Sequence, residues 1–305
     1  MEKFMRKRIS CILAAVIFCL LFFGLDLPQA CAAADTWDGS SASSFAGGTG
    51  SAVNPYQIAT AEQLAYLSDL CATNNQNGVY FILTSDLDLS GHEWTPIGNS
   101  YFRGNFNGNH HVIYNLTITS AAGSYVGLFA NIADGTVTNL GLEDVSISAD
   151  ATNVGGLAGQ ATYVLTGSTI KNCYVTGAVE NQKSTTCYTG GLVGNSEGST
   201  SLTQTELLNC SSTAEVTGSG GYGYCGGLCG RSVLGSVRNC YAAGNIVSNN
   251  IGDAGILIGY ASTVTFSYAY WNSSAVTADT GGSTYPSIAL GVSLLNVGSP
   301  LSKTA

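Results

Sequence analysis

The segments Gly156-Leu157-Ala158-Gly159 and, thirteen residues later, Asn172-Cys173 decide how this chain is interpreted, because both recur along it. The Gly-Leu segment is repeated around five central leucines separated by 29, 35, 36 and 29 residues. These leucines are Leu128, Leu157, Leu192, Leu228 and Leu257. Self-similarity with a period of roughly 20 to 50 residues is typical of a solenoid, in which each repeat forms one coil.

A second motif accompanies the first: an apolar residue, any residue, Asn, Leu or Cys, any residue, and a mostly apolar residue. Its copies occupy residues 113–118, 137–142, 170–175, 207–212 and 237–242, with a degenerate copy at 265–270. Apolar and polar residues alternate with period two in these copies, which indicates β-strands rather than helices. The sequence therefore predicts an all-β fold, a parallel β-helix (solenoid) of about six or seven coils.

Equivalent positions of successive coils stack about 4.8 Å apart, so each motif position should form a column. The asparagines are expected at a corner, because Asn tolerates a left-handed backbone and can hydrogen-bond to its stacked neighbour. This structural Asn ladder comprises Asn115, Asn139, Asn172, Asn209 and Asn239. The inward columns beside it comprise Ile113, Val137, Ile170, Leu207 and Val237, and Leu116, Leu140, Cys173, Cys210 and Cys240. The alternative is an antiparallel sandwich or propeller, which needs no Asn at a fixed offset.

The segments outside the repeats suggest export and capping. Residues 1–32 combine a basic start, an apolar stretch and small residues near Ala32, and this pattern predicts a cleaved signal peptide. The alternatives are a retained membrane anchor and a lipoprotein modified at Cys31. Residues 33–79 form the predicted N-terminal cap, with one helix that begins at the capping box Thr60-Ala61-Glu62-Gln63. Residues 80–272 form the β-helix, and residues 273–305 a C-terminal cap or tail.

Charge and cysteine content narrow the classes of function. The chain has 10 Lys and Arg against 19 Asp and Glu, and four of those bases lie within the first eight residues. Such an acidic body disfavours nucleic-acid partners and, after cleavage of the signal peptide, membrane binding. Cleavage would leave seven cysteines, an odd number, so they cannot all pair within one chain. The cysteines of the inward column are predicted to be buried thiols. The alternative is one disulfide bond between two members of that column.

The same motifs resemble a known family. The Gly-Leu-any-Gly segments at 156–159, 191–194 and 227–230, each followed by Asn-Cys, are similar to the GLUG motif of bacterial secreted and surface proteins. Residues 54–58, 86–91 and 106–110 resemble the usual N-terminal portion of such proteins. The resemblance implies a right-handed parallel β-helix that is exported and often attached to the cell surface in multidomain proteins, some of which carry IgA-cleaving metallopeptidase domains. Ala130 and Ile256 depart from the motif in the outer copies.

Candidate catalytic and metal residues are few. The three histidines, His92, His110 and His111, do not form the spaced pair of a zinc peptidase, so we expect no metal site and no cofactor. Asp86 and Asp88 share one side of a predicted strand, which would suit a calcium site or a pair of catalytic carboxylates. Outward, solvated positions between buried leucines explain the same spacing.

Four tyrosines in or beside the variable loops are candidate binding residues: Tyr163, Tyr188, Tyr222 and Tyr224. Tyrosines beside Gly and Ser can stack on sugars or contact proteins. We therefore expect an exported, non-catalytic module for cell-surface adhesion or for binding carbohydrate or protein, whose partners are host or environmental glycans or surface proteins. The alternatives are a polysaccharide lyase or glycoside hydrolase of β-helix type, and a structural spacer or fragment of a larger adhesin. The sequence leaves the oligomeric state open.

Overall fold

A computed structural model describes residues 37–200, 203–218, 223–248 and 254–271. The predicted signal peptide and the predicted C-terminal cap or tail lie outside these residues. Within the described ranges, no helix has the length and apolar character that crossing a membrane would require.

The described residues contain one helix and 26 strands. The helix is α1 (Ala61–Thr73). The strands are β1 (Tyr56–Ile58), β2 (Tyr80–Leu83), β3 (Leu87–Asp88), β4 (Asn105–Asn107), β5 (Val112–Tyr114), β6 (Thr117–Val126), β7 (Phe129–Ala133), β8 (Thr136–Thr138), β9 (Gly141–Gly155), β10 (Ala158–Thr162), β11 (Thr169–Lys171), β12 (Tyr174–Asn181), β13 (Cys187–Gly190), β14 (Val193–Glu197), β15 (Thr205–Leu208), β16 (Ser211–Ser212), β17 (Glu215–Gly218), β18 (Gly223–Gly226), β19 (Cys229–Val233), β20 (Gly235–Arg238), β21 (Tyr241–Ala242), β22 (Ile246–Ser248), β23 (Ala254–Gly255), β24 (Ile258–Ser262), β25 (Thr265–Ser267) and β26 (Tyr270–Trp271).

The strands form three sheets with parallel pairing. Sheet I has eight strands in the order β1-β2-β4-β8-β11-β15-β20-β25, and sheet III has five, β7-β10-β14-β19-β24. Sheet II contains the other thirteen. From β8 onward the chain passes from sheet I to sheet II to sheet III and back to sheet I, so each sheet gains its strands at long, regular sequence intervals. The prediction of an all-β fold of parallel strands is confirmed.

The leucines of the Gly-Leu motif stack in one buried column. The N–H of Leu157 donates to the carbonyl of Leu192 (2.9 Å), and Leu192 donates to Leu228 in the same way (3.0 Å). Leu128 and Leu257 complete the column at its two ends, and all five side chains are at most 5% exposed. The spacing of the first motif therefore identified a real column of the interior.

The second motif forms the expected columns from its second copy onward. Register pairing aligns Val137 with Ile170, Ile170 with Leu207 and Leu207 with Val237 in sheet I. The next column contains Leu140, Cys173, Cys210, Cys240 and Ala269, each at most 2% exposed. The carbonyl groups of the first four accept backbone hydrogen bonds from the following coil. In the last coil Phe266 follows Val237, so that copy is shifted by one residue from the predicted alignment.

The placement of Ile113 and Leu116 in these columns was wrong. Ile113 pairs with Leu87 and Leu142 in sheet II, and Phe106 takes the position beside Val137 in sheet I. Leu116 lies between β5 and β6 of sheet II, and its carbonyl accepts from Ser146 N–H (2.8 Å). The segment at 113–118 has the same local pattern as the motif but lies on another side of the molecule.

Four of the five predicted asparagines form a hydrogen-bonded ladder. Asn172 Nδ2 donates to Asn139 Oδ1 (2.7 Å), Asn209 Nδ2 to Asn172 Oδ1 (2.9 Å), and Asn239 Nδ2 to Asn209 Oδ1 (3.0 Å). These four residues have φ between 52° and 55°, the left-handed conformation that a sharp corner requires and that Asn tolerates.

The placement of Asn115 in this ladder was wrong. Its Nδ2 donates to Asp88 Oδ1 (2.9 Å) at a different corner, where its own φ is 58°. Asn107 stands at the foot of the ladder instead and accepts from Asn139 Nδ2 (3.0 Å). Asn115 has the φ of a corner residue but stacks in sheet II, since it follows β5.

The N-terminal end of sheet I is covered. Helix α1 begins after Thr60, whose Oγ1 accepts from Gln63 N–H (3.4 Å), while Gln63 Oε1 accepts from Ala59 N–H (2.8 Å). Leu64 and Leu67 of α1 are fully buried. The predicted helix is confirmed, and the edge of β1 is occupied by the segment around Gly47, which exchanges backbone hydrogen bonds with Gln57.

The seven cysteines of the described residues are all buried. Cys71, Cys173, Cys210, Cys225, Cys229 and Cys240 are free thiols, so no disulfide forms between members of the inward column. Burial raises the pKa of Cys71, Cys225 and Cys229 to about 12. Since the thiolate is the reactive form, these thiols are inert while the fold is intact.

We therefore expect alkylation to report unfolding. Iodoacetamide at pH 8 should leave Cys225 and Cys229 unmodified in the native chain and modify both in denaturant, as residue-resolved mass spectrometry would measure. Rapid labelling of either cysteine without denaturant would contradict their burial.

The ladder yields a stability prediction. Asn172→Ala removes two side-chain hydrogen bonds and places Ala in a left-handed conformation, so the free energy of unfolding should fall by roughly 2–3 kcal/mol in urea titrations. Asn172→Gly should lose less, because glycine tolerates that backbone. Asn239→Ala, which removes one ladder bond, is the matched control; an equal loss from all three variants would contradict this account.

Candidate ligand-binding strip

Two columns of side chains meet where sheets II and III approach each other. The tyrosine column, in register across sheet II, comprises Tyr125, Asn153, Tyr188 and Tyr224. The amide column, in register across sheet III, comprises Asn131, Gln160, Asn195, Arg231 and Tyr260. Together with Glu197 we call these two columns the strip.

Glycines allow the two columns to meet. A Cβ atom on Gly194 would lie 2.6 Å from the carbonyl oxygen of Gly159 and 2.6 Å from the backbone nitrogen of Val154. No side chain fits at that distance, so the backbones of the two sheets pack directly on each other. Glycine in the Gly-Leu motif thus brings residues three positions after each leucine beside the tyrosine column.

The aromatic part of the strip is stacked in advance of any ligand. The rings of Tyr188 and Tyr224 are nearly parallel, with centroids 5.7 Å apart and an interplanar angle of 14°. Tyr260 lies against Tyr224 at 4.8 Å, and the Arg231 guanidinium lies 5.2 Å from the centre of the Tyr188 ring. All four side chains are partly exposed. Stacking and cation–π contacts restrict these side chains to one arrangement.

The charges of the strip are balanced internally. Arg231 donates to Asn195 Oδ1 (3.0 Å) and forms an ion pair with Glu197. Gln160 Nε2 also donates to Glu197 (3.4 Å). Burial raises the pKa of Tyr125, and the nearby Tyr101 and Glu197 raise it further. The strip therefore presents phenol and amide groups around one ion pair.

Two amide oxygens in the strip have no hydrogen-bond partner. Asn131 and Asn153 are only 2% and 4% exposed, and the Oδ1 atom of each is buried and unpaired. Asn153 stands in the tyrosine column between Tyr125 and Tyr188. A buried acceptor without a donor costs roughly 1–3 kcal/mol, so these positions favour a donor supplied from outside the chain.

The structure brings together two of the four tyrosines predicted from sequence. Tyr188 and Tyr224 stack in the strip, whereas Tyr163 lies after β10 and belongs to neither column. Tyr222 lies outside the described residues. Sequence reasoning missed Arg231 and Tyr260, although a signal existed, since both stand three residues after a motif leucine.

The predicted carboxylate pair has other partners. Asp86 Oδ1 lies 2.9 Å from His111 Nδ1 and accepts from Val112 N–H (3.0 Å). Asp88 Oδ1 accepts from Asn115 and from Ser90 N–H; burial alone would raise its pKa, but these hydrogen bonds outweigh burial and lower it. Across the described ranges, no group of three or more His, Cys, Asp or Glu residues is arranged to hold a metal ion.

Asp134 orders the loop that carries Tyr163. Its carboxylate accepts from the consecutive N–H groups of residues 164–167 at 2.8–3.0 Å and forms an ion pair with Arg103 (2.9 Å). Burial alone would raise the pKa of Asp134, but the four backbone donors outweigh burial and lower it to about 2. The loop is thereby fixed with Val164 and Leu165 exposed.

Part of the chain matches a family model, and the fold is similar to that of a solved structure. Residues 65–177 match a family model for the N-terminal region of the M26 IgA1-specific metallo-endopeptidases. A crystal structure described as a "putative immunoglobulin A1 protease" from Bacteroides ovatus superposes with a TM-score of 0.60 at 25% sequence identity, covering 80% of this chain and 84% of that one.

Two curated relatives match about half of the chain. A "Putative Gly-rich membrane protein" of Evansella cellulosilytica is 33% identical over 156 residues, which is 48% of this chain and 17% of the relative. "Halomucin" of Haloquadratum walsbyi is 29% identical over 155 residues, or 47% of this chain and 2% of the relative. The chain thus spans a small part of the length of both relatives.

The contacts of Asp134 with the N–H groups of residues 164–167 and with Arg103, which we call the Asp134 clamp, yield a pH prediction. Because the folded-state pKa lies below the ordinary value of 3.8, the clamp stabilises the fold above about pH 4, and this contribution disappears as the pH falls towards 2. Asp134→Asn should reduce the free energy of unfolding by about 2 kcal/mol at pH 7 and much less near pH 2, measured by urea titration. Asp150→Asn, at a more exposed ion pair, is the control; a deficit that is constant with pH would contradict the clamp.

Proposed function

We propose that this chain is an exported, non-catalytic binding module of the bacterial cell surface, folded as a right-handed parallel β-helix of about six or seven coils with GLUG-type repeats. It acts in adhesion by binding carbohydrate or protein through the strip. The match to the N-terminal region of IgA1-specific metallo-endopeptidases and the names of the surface-type relatives support an extracellular role. A cleaved signal peptide at residues 1–32 would deliver the chain to that location.

The stacked tyrosines with Arg231 carry this proposal. Tyrosine and arginine are enriched at the energetic centres of recognition surfaces, because each combines a large contact area with hydrogen bonding. Here they project from paired strands and already contact one another. A ligand would therefore bind without the entropic cost of ordering those side chains.

An enzymatic alternative draws on a second cluster. The Tyr174 hydroxyl donates to Glu143 Oε1 (2.6 Å), and its ring lies over Gly141. Gly141 pairs in register with Val112, whose N–H donates to Asp86, so this cluster lies beside the Asp86–His111 pair. A lyase of the β-helix type would need one of these groups as a base. Burial and the hydrogen bond to Glu143 raise the pKa of Tyr174, which opposes its ionisation and favours a structural role.

Binding screens of the chain beginning at residue 33 would test the proposal. Glycan and extracellular-protein arrays should yield a ligand, and Tyr188→Ala or Tyr224→Ala should weaken its binding at least tenfold, measured by calorimetry. Tyr163→Ala, which removes a tyrosine outside the strip, should bind as the unmodified chain does.

Three results would contradict the proposal. Equal loss of binding in the Tyr163→Ala control would move the site away from the strip. Release of unsaturated or reducing sugars from a polysaccharide, abolished by Tyr174→Phe, would favour the lyase or hydrolase. A failure to bind any glycan or protein would favour the structural spacer.

A further inference from the structure

We infer that the ligand of the strip is an uncharged, hydroxyl-rich oligosaccharide, one without carboxylate or sulfate groups, which lies along the stacking direction of the coils. This inference rests on the proposed binding function and specifies its ligand. Three features of the strip carry it: the closed ion pair, the unpaired amide oxygens and the mutual stacking of the rings.

The closed ion pair argues against an anionic ligand. Arg231 is the cation within the strip, and its Nη1 atom contacts both Glu197 and Asn195 Oδ1. An anionic sugar that approached Arg231 would also approach Glu197, whose negative charge would repel it. The net charge of the chain, −9, adds a general repulsion.

The unpaired oxygens call for small hydrogen-bond donors. Asn131 Oδ1 and Asn153 Oδ1 can only accept, and each is almost completely buried. A sugar hydroxyl donates one hydrogen bond from a single small group, and it can accept in turn from a neighbouring amide such as Gln160. Hydroxyl donors placed at these oxygens would remove the cost of leaving them unpaired.

Ring stacking determines which part of each tyrosine remains available. Tyr188 turns one face toward Tyr224, and Arg231 also lies over its ring, so the ring edge and hydroxyl group of Tyr188 are left for a ligand. This is a hydrogen-bonding surface rather than an apolar socket for a protein side chain. It therefore favours a sugar over a protein hot spot.

The length of the strip argues for an oligomer. The amide column has a residue on each of five successive strands of sheet III, from Asn131 on β7 to Tyr260 on β24. Its first three members are at most 8% exposed, but the partly exposed side chains of the strip, from Tyr125 to Tyr260, cover the same length. At about 4.8 Å per strand the column extends for roughly 19 Å. A single sugar would occupy only part of this length.

The inference is tested with the chain beginning at residue 33 and two sets of probes. Cello-, manno- and chito-oligosaccharides serve as uncharged ligands, and galacturonate oligomers and heparan sulfate as anionic ones. Calorimetry should detect binding of at least one uncharged probe and at least tenfold weaker binding of every anionic probe.

Two variants separate ligand binding from folding. Asn153→Ala should weaken binding of the uncharged probe at least tenfold while the melting temperature stays level or rises, because the substitution removes an unpaired buried oxygen. Asn77→Ala, at an exposed asparagine outside the strip, should change neither property. Glu197→Gln frees Arg231 and should strengthen binding of galacturonate oligomers relative to the unmodified chain.

The outcomes distinguish this inference from the proposed function. Preferred binding of an anionic probe by the unmodified chain, or unchanged binding by Asn153→Ala, would overturn the inference and leave the binding module standing. A protein ligand that depends on Tyr188, with no glycan bound, would do the same. The absence of every ligand would overturn both.

Discussion

The requirement that each residue stack on its equivalent in the next coil governs this molecule. When strands stack in parallel register, a corner that requires a left-handed backbone in one coil requires it in every coil. The four asparagines from Asn139 to Asn239 adopt that backbone, and each hydrogen-bonds to its neighbour in the ladder. The ladder does two things at once, because it relieves the conformational cost and pairs side chains at a corner. The buried leucine and cysteine columns follow from the same register.

The same register builds the candidate site. The positions beside the Gly-Leu motif vary from coil to coil. The buried amides Asn131, Gln160 and Asn195 in the earlier coils give way to the partly exposed Arg231 and Tyr260 in the later ones. The Gly-Leu motif holds these positions beside the tyrosine column, since Gly194 and its equivalents leave no space between the backbones. Recognition residues can therefore change without disturbing the motif that places them.

Much of the fold was predictable because its determinants are local and repeated. The leucine spacing predicted one column, and the Asn-Cys pairs predicted two more. Thr60 and Gln63 predicted the start of the helix. Asn115 was placed in the wrong column because the residues around it match the motif. In the structure, the left-handed residues Asn109 and His110 turn the chain before β5, so Asn115 lies beside sheet II. The strip was half predicted: Tyr188 and Tyr224 stood out by type, but Arg231 joins them only through the close packing of sheets II and III.

Stability and binding make opposite demands on the strip. Apolar residues at Asn131 and Asn153 would remove two unpaired oxygens and strengthen the packing of sheets II and III, as the alanines and valines elsewhere in these strands already do. Asn131 Nδ2 donates to Gln160 Oε1 (3.4 Å), so this amide keeps part of its hydrogen bonding within the chain, but the two oxygens have no donor there. A ligand that donates to these two oxygens removes their cost, and because it binds the native state and not the unfolded chain, it also stabilises the fold.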